Sequence, residues 1–231
     1  VAAGDGPEAI DVDDHLGALL ERSMLVAEPG PFGRRFRMLE TMRSFGAGRL
    51  AAGEGVVTEE RHARWCLAEL ERVRALLVGP GEVEGVARLD ELWPNLRAAL
   101  DRALARGEHG LALALVRPVV AEVLLRSRQE IGDWIERILA VTPPGDDEAI
   151  AFCLSWAAQG HAVGRDRAAW GRLAAAPGPP EGPLVRHARA FVGDDFEGLL
   201  EWAPRAARAL RAAGDDHGAE LAEIDVGAAL L

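Results

Sequence analysis

The chain has 231 residues, of which 49% are hydrophobic, and 26 Lys+Arg against 37 Asp+Glu give it a formal net charge of −11. This balance is typical of a soluble globular protein and excludes the disordered and collagen-like classes. The acidic excess argues against a whole surface built for nucleic acid. The apolar runs are also far shorter than the ~20 residues that a membrane helix needs.

The cysteine content and the first residue bear on where the protein works and on what surrounds it. Cys66 and Cys153 are too few for a disulfide framework, so the expected compartment is a reducing cytoplasm. The chain begins at Val1 rather than Met, which leads us to expect a piece of a longer protein. The sequence contains no Lys and therefore no G-x-x-x-x-G-K-[ST] phosphate loop.

The first predicted elements are a helix and a hairpin. Residues 15–23 are expected to form a helix that Asp13 or Asp14 caps. "SMLVAE" and "RRFRML" predict two short strands, joined by the turn-forming "PGPFG", and a further helix begins near Glu40. Met24 and Val26 on the first strand, and Phe36 and Met38 on the second, alternate at period two, which predicts a half-buried ribbon.

Two long helices with apolar stripes are predicted next. In "EERHARWCLAELERVRALL" the stripe is Ala63, Cys66, Leu67, Leu70, Val73 and Leu77, and in "VARLDELWPNLRAALDRALARG" it is Val86, Leu89, Trp93, Leu96, Leu100 and Leu104. Pro94 should start a new segment or kink the second helix, because proline has no amide hydrogen to donate. Pro118 should bend a later helix, "EHGLALALVRPVVAEVLLRSR", which is followed by the helix "QEIGDWIERILAV".

The last third reads as helix pairs separated by loops. "EAIAFCLSWAAQGHAVG" pairs with "RDRAAWGRLAAA", "LVRHARAFVG" pairs with "DDFEGLLEWAPRAARALRAAGDD", and "AELAEIDVGAALL" begins another unit. This texture resembles tetratricopeptide repeats with a spacing nearer ~40 than ~34 residues. Small residues are expected where helices approach closely, at Ala203, Ala206, Ala207 and Gly227.

The front half carries a more specific resemblance. "LLERSMLVAEPGPFGRRFRMLETMRSFGAGRL", followed by "RHARWC" and "NLRAAL", resembles the region after the nucleotide-binding domain in bacterial STAND-class (NB-ARC-like) regulatory ATPases. These include many actinobacterial SARP- and LuxR-type transcriptional regulators. In that family a winged-helix domain ends in a hairpin followed by R-x-R-x-L-E-T-x-R, and the residues that match here are Arg35, Arg37, Leu39, Glu40, Thr41 and Arg43.

The resemblance implies a mainly all-α fold in three parts. Residues 1–52 would be the end of a winged helix with a β-hairpin wing, 53–145 a helical bundle and 146–231 a truncated array of tetratricopeptide-like repeats. The region would be non-catalytic and would hold its own upstream ATPase domain closed. An inducer ligand or partner protein on the repeats would shift the balance towards an oligomeric state, and ATP or ADP would bind only in the upstream domain. No cofactor is expected in this chain itself.

The charged residues of the hairpin region are the first site candidates: Arg34, Arg35, Arg37 and Arg43. They could dock on acidic surfaces of the missing ATPase domain, contact DNA phosphates as a positive wing, or be solvated charges that protect an edge hairpin from pairing. The resemblance favours the first interpretation, and direct DNA contact is the least favoured of the three.

Other chemistry-bearing residues predict no catalytic or metal site. His62 and Cys66 are four apart on a helix, but two ligands are too few for a metal. Glu130, Asp133 and Glu136 are expected on a solvated helix face rather than in a cleft. Trp156, Trp170 and Trp202 are candidates for a ligand groove in the repeats. The alternatives to the regulatory hypothesis are a free-standing helical-repeat scaffold that binds proteins and, with least support, an enzyme.

Overall fold

The computed structural model describes residues 9–49, 54–77, 79–164, 182–212 and 216–230. These residues are mostly helical and include a two-stranded antiparallel sheet, so the predicted all-α class with one hairpin is confirmed at this level. The chain divides into two compact units, Val1–Arg102 and Ala103–Leu231. The finer division at 52 and 145 stays a prediction.

In the first unit a helix, a hairpin and a short helix precede two long helices. Their bounds are α1 Ala9–Glu21, β1 Leu25–Gly30, β2 Gly33–Met38, α2 Glu40–Ala47, α3 Glu54–Leu77 and α4 Glu82–Ala105. The predicted cap of the first helix is wrong, because Asp13 and Asp14 lie inside α1 and are exposed there. The preceding residues continue the helical turn, so no amide group is left at Asp13 or Asp14 for a side chain to cap.

The register of the hairpin separates the apolar residues that alternate along its two strands. Leu25 pairs with Met38 and Val26 with Arg37, across a two-residue turn. Directly opposed residues share a face of the ribbon, so Val26 and Phe36 lie on opposite faces rather than on one. Leu25 is the buried strand residue, and it lies on the element that contacts α1.

Helices α3 and α4 form most of the core of the first unit. The buried side chains are Ala63, Cys66, Leu70 and Val73 on α3, and Leu89, Leu92, Leu96, Ala99 and Leu100 on the matching part of α4. Most of the predicted stripe is therefore confirmed, but Leu92 takes the buried place expected for Trp93, which is only half-buried. Pro94 does not start a new segment, because α4 runs through it as one helix.

The second unit consists of shorter helices. Their bounds are α5 His109–Val116, α6 Glu122–Leu125, α7 Glu130–Val141, α8 Asp147–Gly164, α9 Pro183–Val192, α10 Phe196–Ala212 and α11 Asp216–Ala229. Pro118 does more than bend its helix. It lies in a 3₁₀ turn, Arg117–Val119, that separates α5 from α6. The helix "RDRAAWGRLAAA" predicted from the sequence falls within residues 165–181, outside the described residues.

Small side chains line the contact between α10 and α11. Ala206 and Ala207 pack with Ala219 and Ala222, and Leu210 covers the edge of this cluster. The prediction of close approach at Ala203, Ala206 and Ala207 is confirmed, since all three are buried.

Gly227 was expected at such a close contact, and no such contact is present among the described residues. It is exposed, and a methyl group added there would meet nothing within 4 Å. The glycine that close packing does require is Gly198, whose added Cβ would lie 3.1 Å from Ala190 Cβ.

A buried ion pair fixes the turn between α6 and α7. Glu122 is 3% exposed, and its Oε1 accepts a hydrogen bond from Arg126 Nη1 at 2.6 Å. Its backbone oxygen accepts from the amides of Arg126 and Arg128.

Across the described ranges, no helix combines the length and the apolar character that a membrane crossing requires.

Candidate functional site

The arginines of the hairpin do not form one patch. Because side chains alternate along a strand, Arg34 shares a face of β2 with Phe36, whereas Arg35 and Arg37 share the opposite face. The register gives the same result, since Arg35 pairs with Glu28 and Arg37 with Val26. The cluster that is dense in sequence is therefore divided between the two sides of the ribbon.

Three of the four candidate arginines have partners in their own unit. Arg37 Nη2 lies 3.2 Å from Glu28 Oε1, and Arg43 Nη2 lies 2.7 Å from Glu40 Oε2. Arg35 Nη2 donates to the backbone oxygen of Glu91 at 3.4 Å. Arg34 has no partner in the part of the chain that the structure describes. These ion pairs are exposed and contribute little to folding stability.

An exposed apolar surface runs from the hairpin onto α2. We call it the hairpin–α2 face, and it consists of Phe36, Met38, Leu39, Met42 and Phe45. Phe36 and Met38 are neighbours on one face of β2, and the other three follow at three-residue steps, which places them on one side of a helix. Phe45 is 62% exposed. An apolar surface with charged neighbours of this kind marks an interaction site in soluble proteins.

The tip of the hairpin rests on α4. Arg88 stacks on the ring of Phe32, with its guanidinium carbon 4.1 Å from the ring centre. A Cβ added at Gly30 would lie 2.8 Å from Glu91 Oε1 and 3.1 Å from the δ-methylene of Arg35. Glycine at this position therefore allows the strand to approach α4 closely.

A cavity of about 210 Å³ lies beside this contact. The hairpin, α3 and α4 all contribute to its lining, which consists of Arg35, Trp65, Glu69, Val73, Arg88, Glu91, Leu92 and Asn95. Sequence reasoning missed this cavity. Its residues are spread over some 60 positions, and neither their types nor their spacing form a motif, so only the folded arrangement brings them together.

Of the three candidate tryptophans, Trp202 lies on an open groove. Its ring lies between two guanidinium groups, with Arg186 Cζ at 4.6 Å and Arg205 Cζ at 4.5 Å from the ring centre. With Arg189, Ala190 and Asp195 it lines a cavity of about 280 Å³. Trp156 is only 7% exposed and packs in the interior of the second unit, so it does not line an open groove. Trp170 lies outside the described residues.

His62 and Cys66 form part of a polar cluster in which Cys66 is buried and His62 is half-buried. His62 Nε2 lies 3.2 Å from Asn95 Oδ1, and Arg102 Nη1 lies 3.2 Å from His62 Nδ1. Since the guanidinium can only donate, Nδ1 accepts and Nε2 carries the proton. Burial and the charge of Arg102 lower the pKa of His62, although the hydrogen bond to Asn95 opposes this shift. The neutral ring therefore links α3 to α4 through its hydrogen bonds with Asn95 and Arg102.

The described residues bring together no set of three His, Cys, Asp or Glu side chains that could hold a metal ion. Of the acidic residues near the start of α7, Asp133 is exposed, while Glu130 and Glu136 are half-buried and engaged in other contacts. Burial raises the pKa of the Cys66 and Cys153 thiols to about 12. Both thiols are therefore protonated, and neither is a nucleophile at neutral pH.

Comparison with known proteins gives no match to a family model, a curated protein or a solved structure.

Proposed function

We propose that this chain is the regulatory region of a STAND-type ATPase that controls transcription. In this scheme the hairpin and α2 belong to a winged helix and dock on a nucleotide-binding domain of the same polypeptide. ATP or ADP binds in that domain, and this region contributes no catalytic residue. The proposed compartment is the cytoplasm.

The hairpin–α2 face is the observation that carries the proposal. Five large apolar side chains lie exposed on β2, on α2 and at Leu39 between them. Arg34 shares the face of β2 that carries Phe36, and Arg43 lies on α2. An apolar centre with charged residues around it is the usual composition of a protein–protein interface. The motif that resembles the STAND family, R-x-R-x-L-E-T-x-R, supplies several of these same residues.

The second unit has features that suit a sensor. Helices α10 and α11 pack through alanines, which suits neighbouring helices of a stacked array. The groove beside Trp202 offers an aromatic ring between guanidinium groups, which suits an acidic inducer or partner. Such a ligand shifts the closed state only if it binds the closed and open states with unequal affinity.

The test is binding of this chain to its own nucleotide-binding domain, expressed separately. Phe45→Asp places a charge at the most exposed residue of the hairpin–α2 face without touching the core. It is expected to weaken binding by about 2 kcal/mol, roughly 30-fold in Kd, as loss of an aromatic anchor does. Titration calorimetry measures the difference.

Val83→Asp is the matched control for that substitution. Val83 is 87% exposed on α4, so its replacement adds the same charge outside the hairpin–α2 face and should leave Kd unchanged. Equal Kd for Phe45→Asp and the native chain, or no binding by the native chain, would overturn the proposal.

A free-standing helical scaffold is the second candidate function. The open groove at Trp202 supports it, because this groove lies within the second unit and needs no nucleotide-binding partner. In that case the chain would bind an acidic partner with the same affinity in the presence of ATP, ADP or neither.

A further inference from the structure

The cavity of the first unit, lined by the hairpin, α3 and α4, contains four charged side chains, and two of these are already paired. Arg88 Nε donates to Glu84 Oε1 at 2.7 Å, and its guanidinium stacks on Phe32. Glu69 Oε1 accepts from Arg72 Nη1 at 2.5 Å. These pairs fix the walls of the cavity, and neither needs a ligand to complete it.

Among the residues that the structure describes, Arg35 and Glu91 have no partner of opposite charge. The guanidinium of Arg35 makes one long hydrogen bond, to the backbone oxygen of Glu91. Glu91 Oε1 is buried without a hydrogen-bond partner, since it lies beneath Gly30 at the end of the hairpin. Burying a carboxylate oxygen without a donor is costly. Glu91 also lines the cavity, so a cation bound there would lie beside this carboxylate.

The remaining walls are aromatic and apolar. Trp65 provides a ring, and Val73 and Leu92 provide buried aliphatic surface. The volume of about 210 Å³ lies below the ~300 Å³ at which pockets for drug-sized ligands begin. The ligand should therefore be small, with a positive end, a negative end and an apolar body.

We propose that the cavity beside Arg35 and Glu91 binds a free apolar α-amino acid. The ammonium group pairs with the carboxylate of Glu91, and the carboxylate group takes the guanidinium of Arg35, whose planar donors match two carboxylate oxygens. The side chain of the ligand lies against Trp65.

This inference goes beyond the proposed function and does not depend on it. Arg35 comes from β2 and Glu91 from α4, so the ligand bridges the hairpin to the helix on which its tip rests. Occupancy therefore stabilises the docked hairpin by the ordinary linkage between binding and conformation. Failure to bind a nucleotide-binding domain would leave this inference standing.

The experiment is titration of the complete chain with L-alanine, L-valine, L-leucine and L-phenylalanine, followed by calorimetry and tryptophan fluorescence. L-leucine is also compared with 3-methylbutylamine, which lacks the carboxylate, and with 4-methylpentanoate, which lacks the ammonium group. We expect at least one of the four amino acids to bind, and we expect each leucine analogue to bind about 10- to 100-fold more weakly than leucine, as loss of a charged hydrogen bond implies.

Two variants separate recognition of the ligand from damage to the fold. Glu91→Gln should weaken leucine binding. The ratio of the Kd of 4-methylpentanoate to the Kd of leucine should fall by about 10-fold, because the lost contact is the one to the ammonium group. Arg35→Gln should lower the ratio of the Kd of 3-methylbutylamine to the Kd of leucine in the same way, because the lost contact is the one to the carboxylate. A variant that weakens the binding of leucine and of both analogues by the same factor would contradict the assigned contacts, because that result indicates damage to the fold.

Arg34→Gln is the matched control, because it removes the same charge one residue away on the opposite face of β2. It should leave leucine binding unchanged. Absence of binding by all four amino acids would overturn the proposal, and so would equal affinity for leucine and its two single-charge analogues. In either case Arg35 and Glu91 would have only a structural role at the hairpin tip.

Discussion

The thiol of Cys66 has no exposed surface, and Cys153 is equally buried. With a thiol pKa of about 12, only ~10⁻⁴ of either side chain is thiolate at pH 8. Both residues therefore behave as small apolar side chains, and their burial decides this behaviour.

We predict that neither cysteine of the native chain reacts with a disulfide reagent such as dithionitrobenzoate at pH 8. Both should react once guanidinium chloride has unfolded the chain, and the released thionitrobenzoate measures this at 412 nm in a standard assay. Stoichiometric labelling of the native chain would show that one of the thiols is accessible, contrary to the described packing.

His62 predicts a pH dependence of stability for the first unit. Its folded pKa is lowered below the ordinary value of 6.5, so the unfolded state binds the proton more readily. The stability contributed by the neutral ring is complete above pH 6.5 and is lost as the pH falls towards the folded pKa. Each pKa unit of depression corresponds to about 1.4 kcal/mol.

The measurement is the free energy of unfolding in urea at pH 7.5 and at pH 5.5. We expect the loss between these values to be smaller in His62→Gln than in the native chain, because glutamine does not titrate. His15→Gln is the control, since His15 is exposed on α1. An unchanged pH dependence in His62→Gln would show that the histidine is not held in its neutral form.

At the scale of elements, Gly198 and Gly227 form a matched pair on neighbouring helices. A Cβ at Gly198 would lie 2.3 Å from Asp195 Oδ2, and Asp195 Oδ1 accepts the hydrogen bond of the Gly198 amide at 2.9 Å. Alanine there would displace this helix cap, whereas alanine at Gly227 would enter open space.

We expect Gly198→Ala to lower the free energy of unfolding by about 1–2 kcal/mol, the usual value of a lost N-cap. Gly227→Ala should raise it by about 0.5–1 kcal/mol, because alanine restricts the unfolded chain and favours the helix. Urea denaturation of the two single variants checks both signs. A stable Gly198→Ala chain would mean that α9 and α10 are packed less closely than described.

Two of the helix prolines, Pro94 and Pro118, show what the sequence could and could not predict about the elements. Each was expected to disturb its helix, yet α4 continues through Pro94, with Leu92 and Leu96 buried on either side. At Pro118 the helix ends, and the adjacent Arg117 holds the turn by stacking on Phe152 at 4.5 Å and by donating to Glu148. Contacts distant in sequence decide between these outcomes, and periodicity does not contain them.

The register of the hairpin and the cavity beside it also depend on contacts that the sequence does not contain. Turn chemistry in "PGPFG" predicted that a hairpin forms, but apolar residues on both faces left the choice of inward face open. The structure pairs Leu25 with Met38 and divides the arginines. The cavity at Arg35 and Glu91 could not be predicted, because it depends on where the hairpin tip meets α4.

At the scale of the whole molecule, the proposed regulatory role rests on the hairpin–α2 face and on the order of motifs that resembles the STAND family. The proposal places a nucleotide-binding domain in the same polypeptide, ahead of the proposed winged helix. Binding of such a domain would cover the hairpin–α2 face and would explain why its apolar side chains are exposed in this chain.

The most direct measurement is therefore the DNA sequence of the gene upstream of the codon for Val1. We expect an open reading frame that continues upstream and encodes a phosphate loop, G-x-x-x-x-G-K-[ST], ahead of the first helices of a winged helix. A start codon at or just before Val1, or an upstream frame without a phosphate loop, would contradict this expectation.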